Sequence, residues 1–180
     1  SDHPSGTDRA AEVASSEKAE VVVNIQGDEP LIDPAAIDAA VLALLSDPQI
    51  PMATLKKLIE IPDELTNPNV VKVITDRFDN AIYFSRSMIP HLREDSGAAH
   101  YKHIGLYVYR RDFLLAYPDL PAGPLEQAER LEQLRAIENG HLIRVVETDY
   151  ESLGVDTPAD LERVEKLFQA EVKAFEKHAG

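Results

Sequence analysis

The apolar run Val21, Val22, Val23, Asn24, Ile25 empties directly into Gln26-Gly27-Asp28-Glu29-Pro30. A valine-rich run bounded by an acidic turn with glycine and proline has the form of a buried parallel strand. Such a strand delivers a carboxylate to the carboxyl edge of an α/β sheet, where these sheets bind ligands. A second acidic turn, Gly154-Val155-Asp156-Thr157-Pro158, opens the last helix pattern far downstream. If Asp28 and Asp156 come side by side they make a hard-cation site. Mg²⁺ prefers oxygen ligands, takes one or two protein carboxylates and fills its other positions with water and phosphate oxygens. The pair therefore points to phosphoryl or nucleotidyl transfer. The plainer alternatives are that Asp28 is only a turn residue before Pro30, and Asp156 only a polar neighbour of the Thr157 cap.

Between these turns strand and helix patterns alternate, which predicts an α/β fold. Residues 7–16 read as a helix, 21–25 as a strand, and 34–45 as a helix with Ile37, Val41, Leu42 and Leu45 on one face. Residues 52–58 and 70–75 are short strand patterns, and Asp79-Asn80 turns the chain before a strand at 81–84. Residues 85–100, with Pro90 and Gly97, read as a long surface excursion of the kind that serves function or an interface. From 102 to 109, Ile104, Leu106 and Val108 alternate with His103, Gly105, Tyr107 and Tyr109, so His103 and Tyr107 share a face. Residues 110–117 and 124–139 read as helices, the second stopped by Asn139-Gly140, and 142–147 as a strand. Thr157-Pro158-Ala159-Asp160 is a helix start. The doublet Leu125-Glu126-Gln127 and Leu131-Glu132-Gln133 has an offset that fits no repeat and reads as coincidence.

Composition narrows the classes. The 180 residues are near the size of one domain, and 44% apolar content suffices for a core. No apolar stretch approaches the roughly 20 residues of a membrane span, and residues 1–9 show no signal pattern, so a soluble cytoplasmic protein with no membrane partner is expected. The absence of cysteine removes disulfides, thiolate metal sites and a cysteine nucleophile. A formal charge of −14 argues against nucleic-acid partners and anionic membranes. An anionic small molecule would need local help from arginines and a metal.

Seven segments carry a family resemblance. They are His3-Pro4-Ser5-Gly6-Thr7-Asp8-Arg9, residues 24–30, Asn67-Pro68-Asn69-Val70-Val71-Lys72-Val73, Tyr83-Phe84-Ser85-Arg86, His103-Ile104-Gly105-Leu106-Tyr107, Leu131-Glu132-Gln133-Leu134-Arg135 and residues 154–160. In this order the chain resembles the 3-deoxy-manno-octulosonate (KDO) cytidylyltransferases, also called CMP-KDO synthetases, over nearly its whole length. The resemblance implies a Rossmann-like nucleotidyltransferase fold, a mixed and mostly parallel sheet flanked by helices. It implies one cytidylyltransferase domain over 1–180, with a dimerisation and sugar-binding segment around 81–120, and a homodimer. The implied reaction, a step of lipopolysaccharide biosynthesis, joins CTP and KDO into CMP-KDO and pyrophosphate. The anomeric hydroxyl attacks the α-phosphorus with Mg²⁺ as cofactor.

By resemblance Asp28 and Asp156 are the catalytic metal ligands, and Ser5, Gly6 and Thr7 meet the nucleotide. Arg9, Gln26, Arg86, His103, Tyr107, Glu132 and Gln133 are placed near the sugar acid. The residues alone leave other readings open: a hydrogen-bonded structural histidine at 103, a core aromatic at Tyr107, a helix N-terminus at 5–7, and an ordinary solvated helix face at Glu132, Gln133 and Arg135.

One departure stands out. The family opens with a strand and a basic loop of the kind Ala-Arg-x-x-Ser-x-Arg-Leu-Pro-Gly-Lys-Pro, which is not found in this sequence. A fragment with unpaired sheet edges and little activity of its own is the corresponding expectation. The alternatives to the KDO reaction are a nucleotidyltransferase for another acidic sugar, such as a sialic acid or an amino-KDO, and a non-catalytic dimerisation partner.

Overall fold

The computed structural model describes residues 6–27, 30–94, 97–151, 155 and 161–169. Helix α1 (Gly6–Ser16), strand β1 (Val21–Asn24), helix α2 (Pro34–Leu45) and strand β2 (Met52–Leu58) follow the sequence pattern. The short helix α3 (Pro62–Thr66) has no counterpart in that pattern, because five residues are too few to show a period. Strands β3 (Lys72–Thr75) and β4 (Ala81–Ser85) form a hairpin, and the long strand β5 (Tyr101–Arg110) follows. Helices α4 (Arg111–Ala116), α5 (Pro124–Glu129) and α6 (Gln133–Glu138) then lead to strand β6 (Ile143–Glu147). Residues 161–169 are helical, and the helix start at Thr157 lies outside the described residues.

Strand β5 organises the six-stranded sheet. One of its edges pairs antiparallel with β2, from Tyr101 opposite Leu58 to Tyr109 opposite Met52. Its other edge takes two strands end to end, β3 opposite Tyr101 and Lys102 and β1 opposite Tyr107 to Arg110. Strand β6 pairs parallel with β2, and β4 closes the far side on β3. Strands β1, β2, β3 and β6 therefore run one way, β4 and β5 the other, and the sheet is mixed. Strand β1 differs from its expected form: it is half-buried, and its described partner is the antiparallel β5. The reason is the length of β5, whose ten residues leave ladder positions free beyond β3. The second edge of β1 has no strand partner among the described residues.

Helices cover both faces, as a sheet with two apolar faces requires. On one face α2 packs through Ala36, Ala40 and Leu44 against Ala53, Leu55, Ile104, Leu106 and Val108. On the other, Ala11 and Ala14 of α1, Leu114 of α4 and Leu134 of α6 meet Met52, Val73, Phe84 and Tyr109. The inner stripe of α2 is a correction to the sequence reading, since Leu42 is 66% and Leu45 51% exposed. The N-cap, where Asp33 Oδ1 accepts from Ala35 N at 2.8 Å, holds the helix in this phase. Alanines at i and i+4 let its axis lie close to the sheet, with Ile37 and Val41 flanking them.

Candidate active site

The segment 124–139 is not one helix. After α5, Arg130 takes a left-handed conformation (φ 54, ψ 48), and Leu131 turns into the core before α6 begins. For an L-residue this conformation costs roughly 1–2 kcal/mol, and distant groups hold it. Arg86 Nε donates to the Glu129 carbonyl at 2.7 Å, and Arg86 Nη1 to the Pro68 carbonyl at 2.9 Å. The Glu129 carboxylate accepts from Ser85 Oγ at 2.6 Å and from Arg86 N at 2.9 Å. Beyond the break, Tyr117 donates to the Glu132 carbonyl at 2.6 Å, and Arg135 forks onto the Glu126 carboxylate at 2.9 and 2.6 Å. The two Leu-Glu-Gln triplets thus sit on either side of a built corner, which turns Glu132 and Gln133 toward β1 and β5.

This corner, the start of α1 and the ends of β1 and β5 enclose a cavity of about 240 Å³. It brings together Gly6, Thr7, Gln26, Tyr107, Glu132 and Gln133, with Asn24, Arg130 and Leu131 completing the wall. Thr7 Oγ1 donates to Glu132 Oε2 at 2.9 Å, so α1 is tied to the corner. Gln133 is 3% exposed, and its Nε2 is a buried donor with no hydrogen-bond partner among the described residues. An unmet buried donor costs about 1–3 kcal/mol. A ligand oxygen in the cavity would remove that cost. Burial raises the pKa of the Tyr107 phenol, which stays neutral and able to donate.

A second cavity of about 320 Å³ lies along β5, with Glu64, Asn69, Lys102, His103, Gly105 and Glu151 in its wall. The rings of His103 and Tyr107 are 5.4 Å apart, as their shared face predicts, and Phe84 meets the imidazole edge-on at 5.0 Å. Lys102 anchors the strand between Glu64 at 2.7 Å and Glu151 at 2.6 Å. His103 Nε2 lies 2.8 Å from Thr54 Oγ1. Burial pushes the imidazole pKa from 6.5 down to about 3, so the ring is neutral. Between those values the unfolded chain binds a proton that the folded ring does not. Stability from this group is therefore complete above about 6.5 and falls as pH drops toward about 3. From pH 7.5 to pH 5, urea unfolding should show the protein losing roughly 2 kcal/mol more than His103→Asn. Parallel losses in the two proteins would mean an ordinary imidazole.

Other expected site residues are placed differently. Arg9 is exposed on α1 and borders a groove between that helix and β1, outside the 240 Å³ cavity. Arg86 also lies outside it, with its guanidinium bonded to backbone carbonyls. Ser5, Asp28 and Asp156 lie outside the described residues. Among the described residues, no three His, Asp or Glu side chains are grouped to hold a metal ion. Sequence reasoning passed over Asn24 and Arg130. Asn24 carried a signal, as a polar residue closing an apolar run, whereas nothing local marks Arg130.

The family model described as cytidylyltransferase matches residues 1–147. The 3-deoxy-manno-octulosonate cytidylyltransferase of Solibacter usitatus (strain Ellin6076) is 68% identical over 172 residues, covering 95% of this chain and 68% of that protein. The chain belongs to the 3-deoxy-manno-octulosonate cytidylyltransferase family. The protein of the same name from Syntrophotalea carbinolica is 58% identical over 173 residues, 91% of this chain and 69% of that one. A solved structure of CMP:2-keto-3-deoxy-manno-octonic acid synthetase complexed with CTP superposes with a TM-score of 0.89. It is 44% identical and covers 94% of this chain and 70% of its own. The inositol-1-phosphate CTP transferase from T. maritima, at 17% identity and a TM-score of 0.53 over 83% of this chain and 55% of that one, shares the fold. The expected nucleotidyltransferase fold, a mixed sheet flanked by helices, is the one found, but among the described strands only β2 and β6 pair parallel, so the sheet is not the mostly parallel one expected. No helix among the described residues is long and apolar enough to cross a membrane.

Proposed function

We propose that the chain acts as a CMP-KDO synthetase, transferring CMP from CTP to KDO with release of pyrophosphate. The observation that carries this reading is the cavity in which the buried Gln133 Nε2, without a hydrogen-bond partner among the described residues, stands beside the Thr7–Glu132 hydrogen bond. Its wall offers an amide donor, a carboxylate acceptor, a second amide at Gln26 and a neutral phenol at Tyr107. That mixture suits a molecule with many hydroxyls. Gly6 and Thr7 at the start of α1, with Ser5 before them in sequence, take the nucleotide. Gln26, Tyr107, Glu132 and Gln133, with His103 on the same face of β5 as Tyr107, take the sugar, while Arg86 serves it from outside the cavity by holding the corner and Arg9 stands on the exposed face of α1.

In the reaction the KDO anomeric oxygen bonds to the α-phosphorus as the bond to the pyrophosphate oxygen breaks. The protein's main contribution is to hold the two in line. Asp28 and Asp156 would hold Mg²⁺, and two carboxylates are a fitting donor set for it. Bound there, it supplies electrostatic stabilisation of charge developing on the phosphate oxygens. We further place the enzyme in the cytoplasm, in lipopolysaccharide biosynthesis, as a homodimer joined through 81–120. Ile82, 54% exposed, and Met88, 38% exposed, support a covered surface in that segment.

Saturation curves for each substrate at fixed Mg²⁺ test the assignment. Glu132→Ala should lower apparent KDO affinity roughly tenfold or more, since charge-assisted hydrogen bonds are worth about 1.5–3 kcal/mol. The CTP constant should move little. An equal fall for CTP would make the Thr7–Glu132 bond a nucleotide device and return the corner to a non-sugar role.

A further inference from the structure

Thr54 is fully buried in β2, where the ladder to β5 is interrupted. Thr54 stands opposite Tyr107 and Leu55 opposite Ile104, so Gly105 and Leu106 have no partner on β2. The Thr54 hydroxyl fills this gap. Its Oγ1 lies 2.7 Å from the Leu106 carbonyl, 3.3 Å from the Ile104 carbonyl and 2.8 Å from His103 Nε2. A hydroxyl has one proton, and two oxygens at 2.7 Å repel unless a proton lies between them. The Thr54 proton therefore belongs to the Leu106 carbonyl, which cannot donate in return. The short contact to His103 needs its own proton, and the imidazole must supply it from Nε2. In a neutral ring Nδ1 is then bare, an acceptor only. The ring forms no other hydrogen bond among the described residues, and it borders the cavity shared with Gly105.

We propose that Thr54 is a positioning residue that fixes His103 as the Nε2–H tautomer, so that the group His103 recognises is a hydrogen-bond donor such as a sugar hydroxyl, not the carboxylate of the sugar acid. This rests on the sugar-side reading of His103 above. A bare Nδ1 meeting a carboxylate would set lone pair against negative charge, whereas a hydroxyl donates into it. The acid group of the substrate must accordingly be taken by the amide and cationic groups elsewhere in the site. An amino sugar presenting an ammonium at the same point would be accepted as well.

The test is a long-range ¹H–¹⁵N correlation spectrum of the histidine rings at pH 7.5, assigned by comparison with His103→Asn, combined with saturation kinetics. The protein should show His103 as the Nε2–H tautomer. Thr54→Val removes the hydroxyl, and should mix the tautomers and raise KM for KDO roughly three- to tenfold with KM for CTP unchanged, in keeping with one lost hydrogen bond. Thr54→Ser should restore both. An Nδ1–H ring in the unaltered protein overturns the proposal even if the valine variant fails to fold, and so does a Thr54→Val spectrum identical to that of the unaltered protein. If the tautomer shifts while KM for KDO stays put, the sugar-side reading of His103 falls and the Thr54 bond stands.

Discussion

Asp28→Asn and Asp156→Asn should each slow pyrophosphate release by about 10²-fold or more. In both substitutions the side chain keeps its size and its capacity to accept a backbone hydrogen bond. The hydrogen-bond acceptor that a turn or cap role would use is therefore kept while one charge is lost. Removing one preorganised electrostatic element at a reacting centre commonly costs 10²–10³ in rate. The expected effect is largest here because the transferred phosphoryl group gives the protein little covalent chemistry to do, leaving charge stabilisation and alignment as the main levers. Initial rates measured across a Mg²⁺ titration separate the two readings of each residue. A metal ligand gives a lower rate and a weaker Mg²⁺ dependence. A near-normal rate with unchanged Mg²⁺ dependence returns that aspartate to a turn or cap role.

Arg135→Ala should be the most destabilising change at the site, costing about 3–5 kcal/mol. The pair it breaks is nearly enclosed, with side-chain exposures of 15% for Arg135 and 11% for Glu126. Losing one partner of a buried pair leaves a charge without compensation, which is far more costly than losing the pair as a whole. The Arg135 guanidinium also lies 5.4 Å from the Tyr117 ring centre, and that ring's hydroxyl holds the Glu132 carbonyl, so the corner loosens with it. For a chain of this size the cost lowers Tm by roughly 6–20 °C. Thermal unfolding of Arg135→Ala and of the double variant Glu126→Met/Arg135→Met checks the mechanism, because the double variant should regain most of the loss. A single variant within about 1 kcal/mol of the unaltered protein would show that the pair is effectively solvated.

Much of the site was legible from local pattern. The alternation along β5 put His103 and Tyr107 on one face, and their rings do meet. The motif order pointed to the family, and six of the residues carried over with it line one cavity: Gly6, Thr7, Gln26, Tyr107, Glu132 and Gln133. What was illegible shares a cause. Glu132 and Gln133 looked like a solvated helix face because a continuous helix would have left them there, and nothing near Arg130 announces a break. The groups that hold it are Arg86, 43 residues from Glu129 in sequence, and Tyr117, 15 residues from Glu132.

The sequence by itself determined where most elements lie, which residues of β5 share a face, the turn at Asp79-Asn80 and the family to which the chain belongs. Each of these depends on the spacing of residues along the chain, which backbone geometry translates directly into faces and caps. Only the tertiary structure decided that β1 runs antiparallel to its partner, that Ala36, Ala40 and Leu44 rather than Leu42 and Leu45 form the inner stripe of α2, that the helix after Pro124 breaks, and that Thr54 reaches His103 49 positions away. These outcomes depend on which groups meet across the sheet. A hydroxyl proton, a carbonyl left over at an interrupted ladder and a guanidinium with carbonyls in reach are satisfied by partners that local periodicity does not specify.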